Sequence, residues 1–258
     1  MKVLMLTLAA LAVTATLQAK VAGKTVDYKD GGTVLEGYVA YDDSSSAKRP
    51  GILVVHDWMG ISGETKRRCD MLAGLGYVAF AADIYGKGVR PASPEEAGKL
   101  AGKYKGDRAL YRRRLNLGLD ELRKNSLVAP GKLAAIGYCF GGTGVLELAR
   151  SGADVKGVVS FHGGLDSLHP EDAKAIKGRV LVLHGADDPY TSAADVAAFQ
   201  DEMRKAGVDW EMVYYGGAVH AFTNPGAGSD NSKGAAYNAK ADARSWVAMQ
   251  TFFKEIFK

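Results

Sequence analysis

The run Leu133-Ala134-Ala135-Ile136-Gly137-Tyr138-Cys139-Phe140-Gly141-Gly142 decides the fold. Its first four residues form a short apolar stretch of strand character. The residues beyond the two glycines, through Val145, Leu146 and Leu148, have helical period. A strand, a sharp turn carrying one nucleophilic side chain, and a helix together make a nucleophile elbow, here with cysteine where serine is usual. Glycine two places before and two places after Cys139 answers a steric demand. A side chain at either place would strike the neighbouring strand or helix. The turn also aims N–H groups of the new helix at a reacting carbonyl, and the helix dipole favours a thiolate and a developing oxyanion. The bland alternative is a packing cysteine at a tight turn.

Outward from the elbow, short β-rich runs alternate with helical ones. Residues 33–41 read as an opening strand, followed by 52–55, 78–82, 133–136, 155–161, 180–183 and 210–214. Among the helical segments, Tyr111, Leu115, Leu119 and Leu122 share a face, as do Val196, Phe199 and Met203. A stripe of Ala239, Ala243, Trp246, Met249 or Gln250, Phe253 and Phe257 marks the last helix as a core-packing one. Apolar runs of this kind suit strands buried on both faces, so the expected architecture is α/β, a doubly wound, mostly parallel sheet with helices on both faces. In such sheets, sites form beyond the carboxyl ends of the strands.

That rule directs attention to three more loops. The strand at 180–183 runs into His184-Gly185-Ala186-Asp187-Asp188-Pro189, where an acid partner belongs. Asp187 and Asp188 compete, and the position relative to His184-Gly185 favours Asp188, leaving Asp187 as a turn residue or cap. The strand at 210–214 leads to Gly216-Gly217-Ala218-Val219-His220-Ala221-Phe222, and His220 is the expected general base. Nucleophile, acid and histidine thus follow one another in the order this elbow requires. The loop after 52–55, His56-Asp57-Trp58-Met59-Gly60, offers the Trp58 N–H to pair with the Phe140 N–H as an oxyanion hole. Asp57 beside an anionic transition state is unusual and reads equally as a turn aspartate. His56 and His162 join His184 at strand ends and are expected on the same rim, whereas His169 reads as surface loop. No close-spaced His/Cys/Asp/Glu ligand motif appears, so no metal is expected.

Composition narrows the class. The chain has 258 residues, 47% hydrophobic, long enough for one α/β domain without disulfide staples. Its net charge of +4 is dispersed, and the basic run Arg112 to Arg114 lies in a helical segment with Asp120 and Glu121. It reads as a solvated helix face, which argues against a nucleic-acid partner. Of the two cysteines, Cys69 reads as a small buried residue in a helix, not a disulfide partner of Cys139. Lys2, an apolar run over 3–17 and Ala19 have the layout of a secretory signal peptide over residues 1–19, with an uncleaved anchor as the alternative. The run is short for a membrane span. The expected product is a secreted, periplasmic domain over 20–258, free of the membrane and working as a monomer or small homo-oligomer.

The elbow at 137–142, His184-Gly185-Ala186-Asp187-Asp188, His220-Ala221-Phe222 and His56-Asp57-Trp58-Met59-Gly60 together resemble the dienelactone hydrolase family. Asp83-Ile84-Tyr85-Gly86 and Phe161-His162-Gly163-Gly164 share the likeness, which spans the chain from about Gly37 to its end. The resemblance implies an α/β-hydrolase fold and a Cys139/His220/Asp188 hydrolase without cofactor, acting on small cyclic or activated esters. It also implies a gating role for Asp57, since the family carries a glutamate there that holds the cysteine proton at rest. Tyr85, Lys87, Phe222 and Asn224 fall where the family binds substrate. Asn224 stands in place of an arginine that holds a substrate carboxylate, and Lys87 offers only a point charge in place of another. A non-hydrolytic binding protein on the same fold is the alternative.

Overall fold

Successive residues of a strand face opposite sides of its sheet, so a strand of unbroken apolar residues must be covered twice. The computed structural model describes residues 20–258 and shows how the chain does this. In order it forms strands β1 (Val21–Asp30), β2 (Thr33–Asp42) and β3 (Arg49–Val55), helix α1 (Gly63–Gly74), strand β4 (Val78–Ala82), helices α2 (Pro94–Gly106) and α3 (Arg108–Arg123), strand β5 (Val128–Tyr138), helix α4 (Phe140–Arg150), strands β6 (Gly157–Phe161) and β7 (Arg179–Gly185), helix α5 (Ala193–Ala206), strand β8 (Trp210–Tyr215) and helix α6 (Ala239–Ile256). The signal-like stretch 1–19 lies outside the described residues.

The sheet order is β1-β2-β4-β3-β5-β6-β7-β8. β1 and β2 form an antiparallel hairpin, β2 meets β4 antiparallel, and from β4 onward every pairing is parallel. Leu53, Val55, Ala135, Val158 and Val182 pack on one face against α3, α4 and α5, including Tyr111, Leu115, Leu119, Val145 and Phe199. Ile52, Val54, Ile136, Val159 and Leu183 pack on the other against α1 and α6. The doubly wound expectation therefore holds. Side-chain caps at Ser62, Ser93, Asp107, Ser192 and Asn238 close the N-termini of α1, α2, α3, α5 and α6. Helix α4 begins at Cys139 with no side-chain cap, leaving its first N–H groups available.

Three expectations need correction. The sequence reading opens the sheet at 33–41 and omits β1, a largely exposed edge strand with too few buried residues to show a hydrophobic pattern. The stripe on α6 is displaced: Ala239 and Ala243 are exposed, and the buried face is Ala241, Ser245, Met249, Phe252 and Phe253. Wide helical stripes leave the register open when small residues sit on both sides. Lastly, the run Arg112 to Arg114 is not a solvated face. Arg112 pairs with buried Glu147 at 2.8 Å and with Asp172, while buried Arg114 and exposed Arg113 both grip Asp30 of β1.

Candidate active site

Cys139 has φ +55° and ψ −116°, a conformation costly for a residue with a Cβ by about 1–3 kcal/mol. Its surroundings impose it. A Cβ on Gly137 would fall on the carbonyl of Gly141, and one on Gly141 would collide with the carbonyl of Val55 and lie 2.6 Å from that of His56. The turn can therefore sit tightly between β5 and the end of β3. Tyr111 secures it from below, donating to the Phe140 carbonyl oxygen at 2.8 Å while its ring stacks on Phe140 at 4.6 Å.

Two further strands deliver their loops to this point. Beyond β7, Asp188 is buried, and one carboxylate oxygen accepts the Tyr190 N–H at 2.9 Å. Its other oxygen lies 2.8 Å from Nδ1 of His220. Asp187 instead accepts the Gly217 N–H at 3.0 Å and braces the turn. Beyond β8, the His220 backbone exchanges hydrogen bonds with Gly234 and Ala236, and Ala221 takes φ +56° to swing the chain back. Nε2 of His220 then lies 3.0 Å from Sγ of Cys139. Burial alone would depress the His220 pKa. The sulfur on one side and the Asp188 carboxylate on the other outweigh it and push the imidazole up to about 10.

The chain Cys139–His220–Asp188 opens into a cavity of about 530 Å³ that also touches Asp57, Trp58, Phe140 and His162. Among the described residues neither the Trp58 N–H nor the Phe140 N–H has a protein acceptor. Asp57 turns one oxygen to the Met59 N–H at 2.8 Å, and burial pushes its carboxyl up. No hydrogen bond joins it to Cys139, whose sulfur is taken by His220.

Of the residues expected to bind substrate, only Asn224 lines the cavity, and its side-chain oxygen accepts the Gly226 N–H at 2.8 Å. Lys87 points elsewhere, to Asp27 on β1 at 2.6 Å and Glu36 on β2 at 3.5 Å. Phe222 is wholly buried, edge-on to His162 and packed against Tyr215. It anchors the histidine loop to the core, and burial of such a ring contributes about 1.5–3 kcal/mol. Tyr85 is also buried and hydrogen-bonds the loop of Trp58. The histidine rim is likewise partial. His162 reaches the cavity, but His56 is enclosed between Tyr85 and Phe140, where burial lowers it to about 4, and His184 packs behind against Tyr214. Exposed His169 is a surface residue, and Cys69 is a free, buried thiol on α1.

Sequence reasoning missed Arg68, Lys105, Tyr190 and Thr223, all of which line the cavity. Arg68 is buried and paired with Glu64, Asp242 and the Thr223 carbonyl. Nothing in the local pattern of α1 marks it apart from exposed Arg67 beside it. Among the described residues no cluster of three or more His, Cys, Asp or Glu side chains is placed to hold a metal ion.

A mostly parallel sheet carrying an elbow after β5, an acid after β7 and a histidine after β8 defines an α/β-hydrolase. The family model for the dienelactone hydrolase family matches residues 35–257, and the chain belongs to that family. Among solved structures, m3DLH is 41% identical with a TM-score of 0.89, covering 92% of this chain and 99% of its own. A dienelactone hydrolase-like promiscuous phosphotriesterase, P91, from metagenomic libraries is 43% identical with a TM-score of 0.86, covering 92% and 98%. A protein of Aquifex aeolicus with the provisional name carboxymethylenebutenolidase is 27% identical over 92% of this chain and its entire length.

Proposed function

We propose that this hydrolase cleaves small carboxylic esters or lactones with Cys139 as nucleophile. The observation that carries the reading is the unbroken contact from Sγ of Cys139, in a cavity wall, through His220 to buried Asp188, beside two N–H groups with no acceptor among the described residues. The Cys139 thiol gives its proton to Nε2 of His220, the resulting thiolate attacks the carbonyl carbon, and the oxygen that gains charge is held by the N–H groups of Trp58 and Phe140. The tetrahedral centre collapses as the alkoxide leaves with a proton from Nε2 of His220, forming a thioester. His220 then takes a proton from water, the hydroxide attacks the thioester, and the acid and the sulfur separate. Asp188 keeps the Nδ1 proton in place throughout and stabilises the imidazolium. A lactone follows the same steps, its alkoxide remaining tethered in the acyl-enzyme.

The test is turnover of p-nitrophenyl acetate by purified protein, wild type and Cys139→Ala, with stoichiometric alkylation by iodoacetamide. Activity that vanishes with Cys139, while buried Cys69 stays unlabelled, supports the reading. Ligand binding without turnover favours a non-hydrolytic binder. Lactones and a phosphotriester belong in the same panel, the latter because of the P91 relative. For location, we propose export to the periplasm with removal of residues 1–19. The intact mass of the periplasmic protein should place its first residue near Lys20, and full-length protein in the cytosol would contradict this.

A further inference from the structure

His162 directly follows β6 with φ +39°, is buried in the cavity wall, and its ring bonds at both nitrogens. Nδ1 accepts the backbone N–H of Cys139 at 3.2 Å, a proton that also reaches the Phe161 carbonyl at 3.0 Å. A nitrogen that accepts an N–H carries no proton of its own, so the ring proton is on Nε2. Nε2 lies 2.8 Å from the hydroxyl oxygen of Thr223, so Thr223 is the acceptor in that bond. Burial, then the charge of His220, with smaller contributions from Arg68 and His184, outweigh the ring's contact with its own backbone and hold His162 neutral. A threonine hydroxyl that accepts still has its own proton to give. Among the described residues that proton has no acceptor, although Thr223 is almost wholly buried and lines the cavity. The residue is also clamped through its backbone, its carbonyl accepting from Arg68 at 2.6 Å.

On the basis of the hydrolase activity assigned above, we propose that Thr223 is a substrate-contacting hydrogen-bond donor, and that His162 is the positioning residue that fixes the direction of its proton. The ligand group it takes is an oxygen acceptor of the substrate, either the ring or leaving-group oxygen of an ester or lactone or an oxygen substituent beside the reacting carbonyl. One neutral histidine thereby registers the nucleophile's backbone and the substrate donor to the same strand end.

The experiment compares Thr223→Val, which keeps the shape and removes the hydroxyl, with Thr223→Ser, which keeps the hydroxyl. Two rates are read for each: turnover of p-nitrophenyl acetate and alkylation of Cys139 by iodoacetamide. The Val variant should lose about tenfold in kcat/KM, the cost of one missing hydrogen bond in a dry site, with alkylation within about twofold of wild type. The Ser variant should recover most of the loss. His162→Ala should slow both rates, because it also releases the Cys139 N–H, and adding Thr223→Val to it should cost little more. Should His162→Ala fail to fold, the Val and Ser pair decides alone. Wild-type turnover in Thr223→Val, or a parallel loss of turnover and alkylation, overturns the inference. Turnover that persists in Cys139→Ala would instead remove the hydrolase assignment on which it rests.

Discussion

Tyr85 donates its hydroxyl proton to the carbonyl oxygen of Trp58 across 2.9 Å. That bond pins the loop that follows β3, the loop that carries the N–H we propose as an oxyanion donor. The tyrosine is itself wedged among His56, Tyr104 and Phe140. Tyr85→Phe should preserve this packing and free the loop. We expect kcat to fall about five- to tenfold with little change in KM, since an oxyanion donor matters most in the transition state. Alkylation of Cys139 should be unchanged. A rise in KM alone would show that Tyr85 binds substrate directly.

Gly141 carries a second consequence of close packing at the elbow. Its Cα faces the carbonyls of Val55 and His56, and both belong to backbone that cannot retreat without disturbing β3. Gly141→Ala should destabilise the protein by about 2–4 kcal/mol, the range of severe overpacking. Urea denaturation measures it. Activity should fall further than folded fraction, because the displaced loop also carries Trp58. Gly63→Ala, in open space at the start of α1, is the control and should leave both nearly unchanged.

What the sequence shows and hides follows from what each residue must satisfy locally. Cys139, Asp188 and His220 were legible because each lies in the loop at the carboxyl end of a strand, and parallel strands bring such loops to one edge. Gly137 and Gly141 were legible because a steric demand leaves few other residues possible. The direction of Lys87 was not, because its partner Asp27 lies on β1, an edge strand with no buried face to advertise it. The Gly31-Gly32 pair between two β-prone runs was the available signal for that hairpin. Tyr85 and Phe222 stand beside site residues in sequence, but the turn geometry sends them into the core. Arg68 and Thr223 reach the cavity only through contacts spanning 155 residues, which no local pattern encodes.

The elevated pKa of His220 makes stability depend on pH with a definite sign. In the unfolded chain an imidazole loses its proton near its usual value of about 6.5. In the folded chain His220 holds it to about pH 10. Folding therefore binds a proton within that window. The associated stabilisation is complete below about pH 6.5 and is lost as pH rises through about 10. Comparing the unfolding free energy of wild type with that of His220→Gln at several pH values isolates the effect. Their difference should shrink steadily from pH 7 to pH 10. A constant difference would mean that His220 is neutral at rest.

Selectivity for a charged substrate should now depend on position 224 and not on position 87. Lys87 is outside the cavity and held by Asp27 and Glu36, so Lys87→Ala should leave the preference between carboxylated and neutral lactones within about twofold of wild type. Asn224 lines the cavity, with its side-chain oxygen engaged by the Gly226 N–H. Asn224→Arg brings a guanidinium to that wall. A charged hydrogen bond of this kind contributes about 1.5–3 kcal/mol, so kcat/KM for a carboxylated lactone should rise about 10- to 100-fold. A neutral ester of the same size should change little. The comparison belongs at low ionic strength, since salt screens a partly exposed pair. An equal shift for both substrates would show that the arginine acts on the loop and not on the carboxylate. A strong wild-type preference for the carboxylated lactone, lost in Lys105→Ala, would assign the charge instead to Lys105 on α2.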